Sequence, residues 1–591
     1  MTSKEEMNSV VNGKREIVAI LTLLTAGLLQ GHAAIYYVAP DGSDTNTGTS
    51  DSPWRTVEKA ASVVQAGDVV RVRAGTYEER VSTKRGGAGE NARIRFEGES
   101  GAVMQGWVIN HPYVSVSGFT FRGQSGQSVL DAYVRINRDG DGTEVLDCHF
   151  GPGIRCVSTG AVFSASAGSI VVPEGALLER GFRAGMYVAI ERATYPASLV
   201  NARQMQVLDV RDSTLIVSGP LQDEGPVPVY ISGSAVYALY VASGAENCRI
   251  LNNVFEDLAY DAMLIGGQDC VVQGNVIRGT HGWDAIHYGG TNNVFRLNVI
   301  ESGPFEVYQV SPDAFENYTP IPYENILISN NMVLGFLGVL GSQKGAGTMR
   351  GLAMVGNVFV DAGWLSITHP DTLIEKNTFL RVARTNNPVM ARSSHAVVLE
   401  ADRGATNCSI RNNIFIDCGQ PLRPSEESQV GWYEVKGPGE TLIIRGNVVA
   451  GAPPGYEGKV GWEEDPRRNG GDPHFVNIED PLGPDGLPFT EDDGLRLSED
   501  SPLTGIGDGG ATPGAYEASI VAPVELAIVR VDGEARIRLM WPEGDGGWLL
   551  ETATELRGPW SIMTNEAAVL DGLRILEITP EGAWRFFRLR R

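Results

Sequence analysis

The sequence predicts an all-β chain organised as a parallel β-helix, a solenoid of stacked coils. Three observations predict it. Glycine is abundant at 72 of 591 residues, while charged residues make up only 20%; that balance suits a turn-rich β protein better than a helical one. A short phrase, four or five β-forming residues followed by Asn and an apolar pair, returns again and again from Asn247 onward. Third, a short amphipathic helix near the start is what the open end of a solenoid needs as a cap.

The repeat carries most of the weight. It reads CRILNNVF, CVVQGNVI, VFRLNVI, ILISNNMV, LAMVGNVF, LIEKNTF, CSIRNNIF and LIIRGNVV. The recurring asparagines are Asn253, Asn275, Asn298, Asn331, Asn357, Asn377, Asn413 and Asn447, at spacings of 22, 23, 33, 26, 20, 36 and 34. A minimum near 20 with variable additions fits stacked coils with loop insertions. Asn tolerates the left-handed backbone of a tight corner. Its amide can also bond the equivalent Asn one coil away. One coil cannot bury its own apolar face, so neighbouring coils must supply the stability. Periodic Asn-Gly or Asp-Gly hairpin turns, which an up-and-down barrel would show, are missing.

The other segments follow in order. Lys14 and Arg15 precede the apolar run Ile17 to Leu29 and the small residues QGHAA. This is the pattern of a secretory signal peptide over residues 1–34, cleaved near Ala33 or Ala34, with an uncleaved anchor as the alternative. The expected location is secreted, periplasmic or cell-surface, with no membrane span after cleavage. Residues 35–157 read as the N-terminal cap and first coils, with Thr56 capping the helix TVEKAASVV. Residues 158–235 lack the Asn phrase and alternate around a turn at Asp212-Ser213; they read as a small inserted β domain. Residues 236–520 hold the main coils and closing segment. Residues 521–591 read as a β-sandwich-like module.

The opening YYVAPDGSDTNTGTSDSPWRTVEKA…GDVVRVRAGTYEE resembles that of bacterial right-handed parallel β-helix proteins of the pectin-lyase-like superfamily. The Asn coils and the closing phrase from Asp472 to Glu517 are similar to the same superfamily. The resemblance covers residues 35–157 and 236–517. It implies a right-handed helix and a role with polysaccharides; the superfamily includes pectate, alginate and chondroitin lyases, galacturonases and epimerases.

Charge narrows the partners. The net charge is −24, which disfavours nucleic acid and repels acidic polymers over the surface as a whole. A polyanionic substrate would need a local basic cleft or a bridging cation. The expected partner is a polysaccharide, and the expected state is a monomer. The six cysteines permit disulfides in an exported chain. Cys248 and Cys270 occupy the same coil position, so a disulfide and a stack of reduced thiols both fit.

Aligning the coils on their asparagines places the chemistry. YDAMLIGGQDCVVQGN (260–275) lies over WDAIHYGGTNNVFRLN (283–298), so Asp261 stacks on Asp284 about 4.8 Å away. Period-two alternation turns Met263, Ile265, Ile286 and Tyr288 inward and Leu264 and His287 outward. Ser366 and Val398 continue the outward row. Carboxylates that close need a proton or a cation between them. So Asp261 and Asp284 either hold Ca²⁺ or cap turns through backbone N–H groups. The Gly-rich acidic loop Glu479 to Gly494, with Asp480, Asp485, Asp492 and Asp493, reads as a solvated loop, with a structural Ca²⁺ site as the alternative.

β-Elimination on a uronate needs the substrate carboxylate neutralised, the C5 proton abstracted and the leaving oxygen protonated. In lyases the chain resembles, Ca²⁺ or Arg does the first and Lys, Arg or His the second. His287 is the first candidate base here, with Lys344 or Arg350 the second, in loops expected to fold over the cleft. His281, Trp283 and Tyr308 are the candidate substrate-binding residues. Three readings compete: a polysaccharide lyase on an acidic glycan, assisted by Ca²⁺; a non-catalytic glycan-binding or surface-attachment protein; and a glycoside hydrolase using Asp261 and Asp284. Paired acids with a Lys, Arg or His within reach would favour an enzyme.

Overall fold

A computed structural model describes residues 33–122, 132–193, 199–233, 236–281, 284–303, 313–336, 338–341, 349–384, 395–419, 431–438, 441–450, 467, 471–486 and 488–516. It also describes the strands between 527 and 590 with residue 563. The signal-peptide reading of 1–32 lies outside these, as do Trp283, Tyr308 and Lys344. The residues divide into two compact units, Met1–Ala515 and Tyr516–Arg591.

The first unit is a right-handed parallel β-helix. One 14-stranded sheet starts at Ile35–Val38 and runs to Ile443–Arg445. The strands that follow each ladder asparagine, such as Val254–Leu258 and Val276–Thr280, pair in parallel as a second face. A third face stacks Ala132–Ile136, Tyr237–Val241, Asp261–Ile265, Ile286–Tyr288, Asp313–Asn317 and Gly338–Gly341. Inside, core side chains pack against their equivalents in the next coil, as Phe379 does on Phe415 with rings 4.5 Å apart. The helix Val57–Val63 packs against the first coils, and the Thr56 hydroxyl accepts from the backbone N–H of Lys59.

The asparagines form an unbroken ladder. Each Nδ2 donates to the Oδ1 of the next ladder asparagine, from Asn253 through Asn447, at 2.8 to 3.0 Å. The same Oδ1 accepts the backbone N–H of the previous asparagine, for example Asn275 N–H to Asn298 at 2.9 Å. The second amide proton goes to a main-chain carbonyl of the coil before. Left-handed backbone falls one residue earlier than expected. Asn252, Leu297, Asn330, Lys376 and Asn412 have φ of 52–57°, and Gly274, Gly356 and Gly446 fill the equivalent corners. The ladder residue is chosen for its amide, and its predecessor turns the chain.

Between Arg155 and Ser232 six antiparallel strands close into a barrel with its own core of Phe163, Phe182, Val207 and Ile231. It enters the helix at the corner between the second and third faces. The Tyr230 hydroxyl donates to the carbonyl of Ala259 at 2.7 Å, and its ring meets Tyr260 edge-on. The barrel thereby braces the residues immediately before Asp261. The second unit is a four-stranded sheet with a three-stranded one, all antiparallel. All six cysteines carry free thiols. Among the described residues no helix is long and apolar enough to cross a membrane.

Candidate functional site

The parallel register builds the site on the third face. Met263 pairs with Ile286 and Leu264 with His287; Ile286 then pairs with Phe315 and His287 with Glu316. Continuing those offsets along the strands puts Asp261, Asp284 and Asp313 in one column at the strand starts. His287 and Glu316 stand in the outward column three residues on. All of these side chains are buried, His287 and Glu316 at 7% exposure and Asp261 and Asp284 at 1%. Leu264 is fully buried rather than lining an open row. The row does continue through Ser366 paired with Val398.

His287 holds the cluster together. Its Nδ1 lies 3.2 Å from Oδ2 of Asp261. Its Nε2 lies 3.2 Å from Oδ2 of Asp284 and 3.1 Å from Oε2 of Glu316. The backbone N–H of Asp313 donates to the other oxygen of Asp284. Among the described residues, Oδ1 of Asp261 is buried with no hydrogen-bond partner. The next coil places Gly338 and Gly341 beside Asp313 and Glu316, where a Cβ would strike the Asp313 carboxylate. Glycine there leaves room for the acids.

The electrostatics follow from burial. Desolvation raises the pKa of Asp261, and that of Asp284 well above the usual carboxylate range, while the neighbouring His287 pulls both back down. Burial alone would lower His287, but the carboxylates of Asp261, Asp284 and Glu316 outweigh it and hold the imidazole well above its ordinary value. In this state His287 is a proton carrier rather than a vacant base.

Aromatic rings surround the cluster. Tyr237 meets His287 edge-on at 6.2 Å and Tyr318 does so at 5.7 Å. Tyr240 lies 5.8 Å from Tyr237. All three tyrosines are partly exposed. Among the described residues, the set of three acidic or imidazole groups whose donor atoms all lie within 4.8 Å of one another is Asp261, Asp284 and His287. Of these, the carboxylates of Asp261 and Asp284 are the donors that fit a divalent cation.

The other candidates lie elsewhere. Nε2 of His281 sits 2.7 Å from Oδ1 of Asp257, which Arg155 also binds at 2.8 Å. Arg350 is not in a covering loop. It lies in the strand Met349–Val355 of the 14-stranded sheet, exposed and hydrogen-bonded to Glu324, which raises its pKa further. A guanidinium so paired is no base. In the acidic loop the Thr490 hydroxyl stands 2.6 Å from Oδ1 of Asp492, 3.2 Å from Oδ1 of Asp493 and 3.5 Å from Oδ1 of Asp485.

The chain has the pectin-lyase-like right-handed β-helix fold. Residues 40–84 match a family described as "Protein of unknown function (DUF1565)". Two curated relatives share short stretches. The uncharacterized protein YwoF of Bacillus subtilis (strain 168) is 36% identical over 86 residues, 14% of this chain and 18% of that one. Pectate lyase PEL9 of Emericella nidulans is 40% identical over 72 residues, 12% of this chain and again 18% of that one. This chain therefore aligns with under a fifth of either relative. Among solved structures, it is similar to pectate lyase Pel9A at 15% identity, over 82% of this chain and 96% of that one, with a TM-score of 0.40. It is also similar to XylC in complex with xylose at 15% identity, over 94% and 100%, with a TM-score of 0.36.

Glu316, Tyr237, Tyr240 and Tyr318 belong to the site but escaped the sequence reading. The signal was present in FENY (315–318), which lies over IHYG (286–289). The long insertion between Asn298 and Asn331 hid the register.

Proposed function

We propose that this chain is an exported carbohydrate-active enzyme that cleaves an acidic, uronate-containing polysaccharide by β-elimination at the Asp261–Asp284–His287–Glu316 cluster. The observation that carries the reading is the convergence of three carboxylates from successive coils on one imidazole. A scaffold gains little from burying so many acids around a single countercharge, since unbalanced buried charge is strongly unfavourable. Function is the better reason for it. The signal-like N-terminus supports export, and the short match to a pectate lyase supports uronate chemistry.

A divalent cation would be held by Asp261 and Asp284, and would supply neutralisation of the uronate carboxylate. The protein's own groups do the rest. His287 carries a proton that the leaving glycosidic oxygen needs. Glu316, on the Nε2 side of His287, would take the C5 proton as the bond to the leaving oxygen breaks. The partly exposed rings of Tyr237 and Tyr318 flank the cluster and orient the sugar faces. Hydrolysis is the second reading, favoured by one observation: Asp261 and Asp284 are buried side by side on the one imidazole, and burial raises the Asp284 carboxyl, the direction an acid–base carboxylate pair needs.

The test is product chemistry. Incubation with pectate, alginate and glycosaminoglycans should yield unsaturated uronides that absorb in the ultraviolet. Reducing ends without that absorbance would point to hydrolysis. No product from any of them would favour a binding protein.

A further inference from the structure

We propose that Tyr230 and Arg155 of the inserted barrel are positioning residues for Asp261, so that the barrel sets the geometry of the cluster. The inference rests on the cleavage reading above and adds what the inserted domain is for.

The barrel grips the segment that delivers Asp261. The carbonyl of Asp257 accepts the N–H of Gly153 at 2.8 Å, and that of Leu258 accepts the N–H of His281 at 3.1 Å. The carbonyl of Ala259 accepts the Tyr230 hydroxyl at 2.7 Å. The N–H of Asp261 then donates to the carbonyl of Val236 at 3.0 Å. Gly153 and Val236 lie in the two links that join the barrel strands Arg155–Ser164 and Glu224–Ser232 to the coils. A run of backbone groups satisfied in this way has little freedom to move.

Side chains reinforce the grip. Arg155 opens the first barrel strand, and its Nη1 lies 2.8 Å from Oδ1 of Asp257. Nε2 of His281 lies 2.7 Å from the same oxygen. Asp257 sits in left-handed backbone at φ 53°, and the two contacts hold that bend. Tyr230, Ala259, Tyr260 and Ala189 form a buried cluster distinct from the barrel's own core. At Gly153 a Cβ would fall 2.6 Å from the backbone nitrogen of Ala259, so glycine permits the close approach.

Asp261 depends on this support. Its Oδ2 meets His287 at 3.2 Å. Its Oδ1 has no hydrogen-bond partner among the described residues. A shift of the Asp261 backbone would therefore pass directly to the contact with the imidazole. Misplacement of reacting groups by about 1 Å can cost about a hundredfold in rate.

The experiment compares the full unmodified chain with Tyr230→Phe, Arg155→Gln and Val207→Ala. Val207 belongs to the barrel's own core and carries none of these bonds. Three quantities are read: the imidazole nitrogen resonances of His287, assigned by their loss in His287→Gln; the urea midpoint; and kcat and KM on an acidic polymer. Tyr230→Phe should move the His287 Nδ1 resonance and lower kcat about tenfold, with KM changed by less than about twofold. Arg155→Gln should move the same resonance, and Arg155→Lys, which keeps the charge beside Asp257, should restore part of it. Val207→Ala should lower the urea midpoint and leave the resonance in place. An unmoved resonance in Tyr230→Phe or in Arg155→Gln would overturn that residue's role. A shift in Val207→Ala as large as that in Tyr230→Phe would overturn both, because stability alone would then explain them. If Tyr230→Phe does not fold, Arg155→Gln decides. A moved resonance with no unsaturated product from the unmodified chain would keep the positioning and sink the elimination.

Discussion

Nδ1 of His287 stands 3.2 Å from Oδ2 of Asp261, one coil away on the neighbouring strand. The contact joins two buried groups that the parallel register alone brings together, and it makes the imidazole the countercharge for a column of acids. The behaviour expected with pH and with an added divalent cation follows from it.

The first consequence is a pH signature in stability. The folded state holds the His287 proton more tightly than the unfolded chain does. With more protons bound in the native state, stability falls as pH rises. The contribution is full below the unfolded value of about 6.5 and is lost as pH passes through the higher folded value. The raised carboxyl of Asp284 has the same sign in a lower window, starting near its unfolded value of about 3.9. His287→Gln should cost about 3–5 kcal/mol near pH 6, because it strands buried carboxylates. The difference from the unmodified chain should shrink toward alkaline pH. Urea midpoints at several pH values check this, and a difference that grows with pH would contradict it.

A divalent cation should replace the proton as the countercharge. Adding Ca²⁺ or Mn²⁺ should raise the thermal midpoint, more at pH 8 than at pH 5, because protons compete for the same oxygens. At 100 times the dissociation constant the gain is about 2.7 kcal/mol. Asp261→Asn and Asp284→Asn should each abolish the response. Calorimetric scans with and without chelator measure it; an equal response in both variants would place the cation elsewhere.

The asparagine ladder should be the most mutation-sensitive part of the scaffold. The Asn331 side chain accepts from the backbone and amide of Asn298 and donates to Asn357 and to the carbonyl of Phe295. Asn331→Ala leaves several buried groups without partners, at about 1–3 kcal/mol each. Loss of at least about 3 kcal/mol in urea denaturation is expected. Leu297, in left-handed backbone at φ 55°, should behave oppositely: Leu297→Asn should stabilise by about 1 kcal/mol.

Gly338 is expected to guard the site rather than the scaffold. A Cβ there would fall 1.6 Å from Oδ1 of Asp313, so Gly338→Ala must displace that carboxylate. The cost in stability should be about 1–3 kcal/mol. Activity and the cation response should fall further than Asn331→Ala lowers them at matched stability. Kinetics below the unfolding range would separate the two.

The coil architecture was legible because its signal is periodic. The asparagines declare the ladder, and period-two alternation declares which of Met263, Leu264, Ile286 and His287 face the core. The pairing of Asp261 with Asp284 follows from the same alignment. Glu316 was not legible, because a loop of variable length separates it from His287 in sequence but not in space. The Gly-rich sequence before Arg350 predicts a loop, whereas its own segment MRGLAMV alternates as a strand. Propensity puts the left-handed corner on the ladder asparagine; Leu297 and Lys376 carry no propensity for that backbone and take it because the stack imposes it.

The central claim is that the Asp261–Asp284–His287–Glu316 cluster cleaves an acidic glycan. Its most direct test compares the unmodified chain with Asp284→Asn on pectate, alginate and glycosaminoglycans, following ultraviolet absorbance with a divalent cation and with a chelator. Cation-dependent absorbance is expected from at least one acidic polymer, lost in Asp284→Asn while the variant stays folded. Equal activity in the variant, or no product from any acidic polymer with a folded protein, would contradict it.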